Sequence, residues 1–156
     1  MVDDGSEDAT SAEVEKLLAD SIIIKGTGDW WWEGSIQQGY KWIKKNAMGN
    51  EAVLIINDDL IFEEDYLQKG MNYLNANPNS LVLSAAYDQF NREKLEDCGV
   101  IYNFSNSEIM SLPVNDLDKL NCLSTRGLFL SVSDFLKTKG MHPKLLPHYF
   151  SDYEYT

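Results

Sequence analysis

The stretch VLIINDDLIF, residues 53–62, decides the fold prediction. It opens with a branched apolar run that is typical of a strand buried on both faces. Asn57, Asp58 and Asp59 follow where that strand is predicted to end. Ligands of open parallel α/β sheets bind at the carboxyl ends of the strands, so the adjacent carboxylates are candidates for a binding site. Ordinary turn chemistry would use the same residue types, and both interpretations stay open at this point.

Strands and helices alternate on either side of this stretch. SIIIK at 21–25, EAVLIIND at 51–58 and SLVLSAAYD at 80–88 predict strands. Apolar residues at helical spacing predict helices over 11–19, from Gly34 onward and over 64–77. Continuous apolar strands that alternate with helices favour an α/β fold, with a mostly parallel central sheet flanked by helices. A length of 156 residues with 44% hydrophobic content fits a single domain over residues 1–156.

Helix boundaries are predicted from local signals. Thr10 and Glu13 have the spacing of a capping box at the start of the first helix. GLFLSVSDFLKTKG at 127–140 predicts a strand and then a helix, with Ser133 as its N-cap and Gly140 as its stop.

Charge and composition exclude several classes of protein. The formal net charge is −12, from 25 acidic against 13 basic residues, and nucleic-acid binding needs a basic face. Cys98 and Cys122 lack metal-ligand spacing and are interpreted as reduced thiols. The sequence has neither a signal-peptide pattern nor an apolar run near the roughly 18 residues of a membrane span. The expected location is the cytoplasm, and peripheral association with the cytoplasmic face of the membrane is compatible with it.

Acidic residues recur at the predicted strand ends. Asp3 and Asp4 precede a Gly-Ser turn, Asp58 and Asp59 end the central strand, and Asp152 follows an aromatic loop together with Glu154. Carboxylates that converge on one edge of a sheet repel one another unless a cation sits among them. Their oxygens suit Mg²⁺ or Mn²⁺, and such an ion would in turn hold a diphosphate.

These motifs resemble successive motifs of family 2 glycosyltransferases. The similarity rests on VDDGSEDAT, GDWWWEGSIQQGYKWI, LIINDDLIFEEDYL and HYFSDYEYT, in that order along nearly the whole chain. It is strongest to the rhamnosyltransferase-like branch. The resemblance implies the Rossmann-like GT-A fold and an inverting transfer of a sugar from a nucleotide-diphosphate donor to a saccharide or lipid-linked acceptor. It also implies a divalent cation, Mn²⁺ or Mg²⁺, and a role in cell-surface polysaccharide synthesis.

The resemblance implies roles for the acidic residues, position by position. Asp3 matches the residue that contacts the nucleobase or ribose. Asn57, Asp58 and Asp59 match the DxD element with its first acid replaced, so that Asp59 would ligate the metal and Asp58 would line the donor site. Asp152 matches the general base that takes the proton of the acceptor hydroxyl.

Other positions near the donor follow from the same resemblance. Trp31, Trp32 and Gly34 lie in the segment that the family places beside the donor, although adjacent aromatic residues equally fit core packing. Arg126 matches a segment beside the diphosphate or the acceptor, and a surface ion pair is its alternative.

Departures from the family leave a second function open. The usual first strand and the segment beyond the proposed base are missing from this sequence, so a fragment is expected. A non-catalytic remnant that binds a nucleotide or a partner is therefore the alternative. A receiver domain and a sugar nucleotidyltransferase are disfavoured, because the sequence has neither a phospho-acceptor loop nor a Gly-rich phosphate loop near its start.

Overall fold

The structure of the chain is a computed structural model that describes residues 1–103, 105–111, 114–142, 152, 153 and 156. The backbone groups into two compact units. The first comprises the described residues of Met1–Met48 and Leu136–Ser151, and the second those of Gly49–Phe135 and Asp152–Thr156. No helix in the described part of the chain is long and apolar enough to cross a membrane.

The first unit is built on a short pair of parallel strands. Strand β1 (Val2–Asp3) pairs with β2 (Ile24–Lys25), and helix α1 (Thr10–Leu17) lies between them in the chain. Helix α2 (Trp31–Asn46) packs on β1, where Gly39 faces the Val2 side chain. The carboxyl ends of β1 and β2 therefore lie side by side, and the loops that follow them form one edge of this unit.

The core of the second unit is a three-stranded sheet with the order β3–β9–β4. Strand β3 (Ala52–Ile55) and strand β4 (Val82–Leu83) both run antiparallel to the central strand β9 (Leu128–Ser131). Strand β9 is the most deeply buried of the three, and the aromatic ring of its Phe129 is part of a side chain only 1% exposed. Helix α3 (Tyr66–Ala76) packs against the Phe129 ring at Gly70, where a Cβ atom would collide with the ring.

The rest of the second unit consists of hairpins and short helices. Strand β5 (Ala86–Tyr87) pairs with β6 (Leu95–Asp97), and β7 (Val100–Asn103) pairs with β8 (Glu108–Ser111), both antiparallel. A 3-10 helix spans Val114–Lys119, and α4 (Val132–Lys137) follows β9 directly.

The α/β class is confirmed, but the expected mostly parallel sheet is not found. Among the described strands only β1 and β2 pair in parallel. Strands β3 and β4 do point the same way, as a strand-helix-strand unit predicts, but β9 lies between them and runs in the opposite direction. Local periodicity cannot predict this insertion, because β9 comes from much later in the chain.

Both predicted caps are wrong in detail. The first helix begins after Ala9 without a side-chain cap, and Thr10 instead donates its backbone N–H to Asp8. In α4 the oxygen that caps the helix belongs to Ser131, which accepts the Asp134 N–H at 3.0 Å. The sequence predicts Ser133 as the N-cap, but β9 ends at Ser131 and α4 begins at the next residue, Val132.

Candidate functional site

The carboxylate of Asp3 organises the loop after β1. It is 8% exposed and accepts the Ser6 N–H at 2.9 Å and the Ser11 hydroxyl of helix α1. The Ser11 hydroxyl, followed by the Ser6 N–H, lowers the pKa of Asp3 to about 2. Asp3 is therefore ionised at neutral pH and holds α1 to the strand end. Its predicted contact with a nucleotide stays a prediction.

Asp4 has a role that sequence reasoning missed. Its carboxylate accepts backbone N–H groups of Gly28 at 2.9 Å, Trp30 at 2.7 Å and Trp31 at 3.0 Å. Helix α2 begins there without a cap from its own N-cap residue, so a carboxylate from the neighbouring strand end satisfies the free donors. The sequence shows the Asp-Gly-Ser turn that contains Asp4, but it does not show that Asp4 binds the start of α2.

The tryptophan segment leads into α2, which begins at Trp31, three residues before its predicted start at Gly34. Trp31 adopts a φ of +57° and is 61% exposed, whereas Trp32 is half-buried. Gly34 is buried, and a Cβ placed on it would lie 3.0 Å from the Trp30 Cβ. The close approach at Gly34 is therefore made by Trp30. Donor contacts by Trp32 and Gly34 stay predictions.

Glu33 is a second feature that the sequence did not reveal. Its side chain is fully buried in the first unit and accepts the His142 N–H at 2.6 Å. Gln37, one turn later, accepts the Met141 N–H at 2.7 Å. These contacts join α2 to the chain after α4, so the buried carboxylate has a structural role here.

Three loops of the second unit meet at one edge of its sheet. The Gly127 N–H donates to the Ile55 carbonyl at 3.0 Å, and the Gly127 carbonyl accepts the Ser84 N–H at 3.2 Å. Because β9 is antiparallel to its neighbours, the loop that precedes it lies beside the loops that follow β3 and β4. Arg126 and the Asn57–Asp59 turn therefore occupy the same edge.

The Asn57–Asp59 turn presents oxygen atoms with different surroundings. Asp58 and Asp59 are exposed, as a site that receives a ligand from solvent requires. The Oδ1 atom of Asn57 is buried and has no hydrogen-bond partner among the described residues. A buried acceptor without a donor is costly, which makes this turn a place where a cation or a ligand donor would be stabilising.

Asp152 and Arg126 line one cleft of about 280 Å³ in the second unit. Asp152 accepts both the backbone N–H of Thr125, at 3.1 Å, and the Thr125 hydroxyl, at 3.0 Å. Tyr153 lines the same cleft, and burial followed by the charge of Asp97 raises the pKa of its hydroxyl. Glu96 and Asp97 also line it, so the cleft combines three carboxylates with one guanidinium and a phenol that is protonated at neutral pH.

The described residues contain no group of three or more His, Cys, Asp or Glu side chains arranged to hold a metal. A complete protein cage is not required for Mg²⁺, which commonly binds one or two carboxylates together with water and substrate phosphates. The exposed carboxylates of Asp58 and Asp59 fit that mode of binding, and they directly follow Asn57, whose buried Oδ1 has no hydrogen-bond partner among the described residues.

The predicted site residues fall into the two units. Arg126 and Asp152 share a cleft, and Asp58 and Asp59 lie in a turn at the sheet edge that Arg126 occupies. Asp3, Trp32 and Gly34 belong to the first unit. Glu154, which the sequence grouped with Asp152, lies outside the described residues.

Comparison with protein-family models matches residues 1–103 to the model described as Glycosyl transferase family 2, about two thirds of the chain. The matched range includes Asp3, Trp32, Gly34, Asp58 and Asp59 and ends before Arg126 and Asp152. No significant match was found among curated proteins or among solved structures.

Proposed function

Since this chain belongs to glycosyl transferase family 2, we propose that it transfers a sugar from a nucleotide-diphosphate donor to an acceptor hydroxyl with inversion at the anomeric carbon. Membership implies the GT-A fold, a nucleotide-sugar donor and an acceptor. The finer parts of the proposal are the inversion, the divalent cation, the polysaccharide role in the cytoplasm and the rhamnosyltransferase-like branch. We further propose that residues 1–156 belong to one glycosyltransferase catalytic domain.

The observation that carries the proposal is the cleft in the second unit. Asp152 and Arg126 line it together, and the exposed Asp58–Asp59 turn lies at the same edge of the sheet as Arg126. A transferase needs a base for the acceptor hydroxyl and positive charge for the departing diphosphate. This edge supplies candidates for both.

Asp152 is the proposed base. The acceptor oxygen forms a bond to the anomeric carbon while the bond from that carbon to the diphosphate oxygen breaks on the opposite face. The proton of the acceptor hydroxyl moves to the Asp152 carboxylate, and the nucleoside diphosphate leaves with the bonding electron pair. Arg126 is placed to pair with anionic oxygens at this edge, because a guanidinium binds phosphate in a bidentate manner.

The turn after β3 is the proposed place for a divalent cation. Asp59 would hold it, with Asp58 lining the site, and the buried Asn57 oxygen supports a ligand at this point. When bound, the ion would neutralise charge that develops on the diphosphate. The family commonly uses a divalent cation, which agrees with the chemistry of this donor set.

In the first unit we propose nucleotide recognition. Asp3 is ionised and already bound to Ser6 and Ser11, so it can accept a hydroxyl or an imino group of the nucleoside only with its remaining lone pairs. Trp32 and Gly34 would lie beside the donor.

Two substitutions separate donor binding from chemistry. Asp59→Asn and Asp152→Asn each remove one charge, and Asp20→Asn removes a charge from an exposed residue outside the proposed site. The assay measures release of nucleoside diphosphate from UDP-glucose, GDP-mannose and dTDP-rhamnose with Mn²⁺ present, with water and methyl glycosides as the acceptors. We expect Asp152→Asn to lower kcat by at least about 100-fold and to spare donor affinity. Asp59→Asn should lose metal-dependent affinity, and Asp20→Asn should behave as wild type.

Two results would contradict the proposal. Full turnover by Asp152→Asn would remove the base assignment. Nucleotide binding without turnover in the wild-type chain, with every donor of the panel, would favour the non-catalytic alternative.

A further inference from the structure

Thr125 is an almost fully buried polar residue of the second unit, and both of its hydrogen-bond donors bind a single carboxylate oxygen. It is 1% exposed, and its backbone N–H and its hydroxyl both reach the Oδ2 atom of Asp152, at 3.1 and 3.0 Å. Two donors that converge from one rigid residue fix the rotation of a carboxylate as well as its position.

The segment that carries Thr125 is itself held tightly. The Gly127 N–H donates to both the Ile55 and the Thr125 carbonyls, at 3.0 and 3.1 Å, which ties the segment to the end of β3. The Arg126 N–H donates to the Ser124 hydroxyl at 3.3 Å. Thr125 therefore sits on a short, hydrogen-bonded bridge between the central strand and the cleft.

A second contact ties the chain around Asp152 to the segment before Thr125. The Thr156 hydroxyl accepts the Leu123 N–H at 2.8 Å and donates to the Leu123 carbonyl at 2.8 Å, with the Asp152 carbonyl 3.1 Å away. This contact does not involve the Asp152 side chain. The two bonds from Thr125 are made to the carboxylate itself.

From this geometry we propose that Thr125 is a positioning residue that holds the Asp152 carboxylate in the orientation in which it faces the cleft. The inference rests on the proposed function of Asp152 as the base. Loss of the hydroxyl at position 125 leaves one of the two hydrogen bonds to Oδ2, so the carboxylate can rotate away from the orientation in which it would take the acceptor proton.

A purely structural role for Thr125 predicts different results. In that case its loss would lower the free energy of unfolding and leave kcat and KM of the folded chain unchanged. The other ionisable groups that line the cleft are Glu96, Asp97, Cys98, Arg126 and Tyr153. A change from threonine to another neutral residue leaves all of these groups in place, so a lower kcat in the folded chain reports the lost hydroxyl.

The test compares Thr125→Val, which has the same shape without the hydroxyl, with Thr125→Ser, which restores the hydroxyl. Turnover of UDP-glucose, GDP-mannose and dTDP-rhamnose is measured in the full chain for both variants. We expect kcat to be reduced by about 10- to 100-fold in Thr125→Val, with KM little changed, and Thr125→Ser to regain most of the wild-type kcat.

Each outcome decides something. Wild-type turnover by Thr125→Val while Asp152→Asn is inactive, or a loss in Thr125→Val that Thr125→Ser does not reverse, would overturn the role of Thr125 alone. Full turnover by Asp152→Asn would overturn the base assignment and this inference with it. If Thr125→Val does not fold by circular dichroism, Thr125→Ala removes the same hydroxyl without a second methyl group and gives the same measurements.

Discussion

Replacing Asp4 with asparagine tests the most specific structural claim about the first unit. The Asp4 carboxylate accepts N–H groups from Gly28, Trp30 and Trp31 at 2.7 to 3.0 Å. Helix α2 has no cap of its own, so these bonds supply what its N-terminus lacks. An asparagine keeps one acceptor oxygen, and its NH₂ group then faces an N–H donor that it cannot satisfy.

The magnitude follows from what the substitution removes. Hydrogen bonds to a charged group contribute about 1.5–3 kcal/mol, whereas neutral ones contribute about 1 kcal/mol. The lost bond is partly replaced by water, because Gly28 is exposed. The lost charge beside a helix N-terminus costs about 0.3–1 kcal/mol more. We therefore expect Asp4→Asn to lower the free energy of unfolding by about 2 kcal/mol.

The matched control is Asp29→Asn. Asp29 also precedes α2, and its substitution removes the same charge. Unlike Asp4, it is exposed, and its carboxylate lies 3.3 Å from the Thr27 hydroxyl. Its substitution should cost about 0.5 kcal/mol. Urea unfolding followed by tryptophan fluorescence suits both variants, since all four tryptophans lie within residues 30–42. Equal losses in the two variants would refute the capping role of Asp4.

Two further substitutions test the core and the acidic loop. Gly70→Ala places a Cβ about 2.5 Å from ring carbons of Phe129, so overpacking should outweigh the better helix propensity and lower the free energy of unfolding by about 1–2 kcal/mol. Gly39→Ala, where the new Cβ meets Val2 at 3.7 Å, should instead stabilise the chain by about 0.5–1 kcal/mol, and a loss there would contradict the packing described. Asp3 has a pKa lowered from 3.8 to about 2, so its stabilising effect is complete above pH 3.8 and is lost as the pH falls toward 2. The free energies of unfolding of wild type and Asp3→Asn, measured from pH 6 to pH 2, should therefore differ by an amount that narrows below pH 3.8. A constant difference would be inconsistent with the bonds to Asp3.

Strong local patterns predicted the elements that carry the site. The apolar run before Asn57 forms β3, and the helical spacing after it forms α3, close to the predicted bounds. The stretch 80–88 was predicted as one strand and divides into two, because β4 pairs with β9 and β5 turns away to pair with β6. Pairing partners far along the chain decide such breaks, and no local pattern encodes them.

The same limit applies to the candidate site. Acidic residues at strand ends were recognised from their position, and Asp58 and Asp59 do follow β3 in an exposed turn. Asp4 was expected to belong with the ligand-binding acids, but the structure gives it a capping role that depends on where α2 begins. Thr125 attracted no notice because a single threonine has no signature until its partner, Asp152, is brought beside it.

The most direct test of the central claim is calorimetric titration of the chain with UDP, GDP and dTDP, each with and without Mn²⁺. The account predicts that one of these nucleotides binds with a marked dependence on Mn²⁺, and that Asp59→Asn removes this dependence while Asp20→Asn retains it. A chain shown by circular dichroism to be folded that binds none of the three nucleotides in the presence of Mn²⁺ would contradict the account.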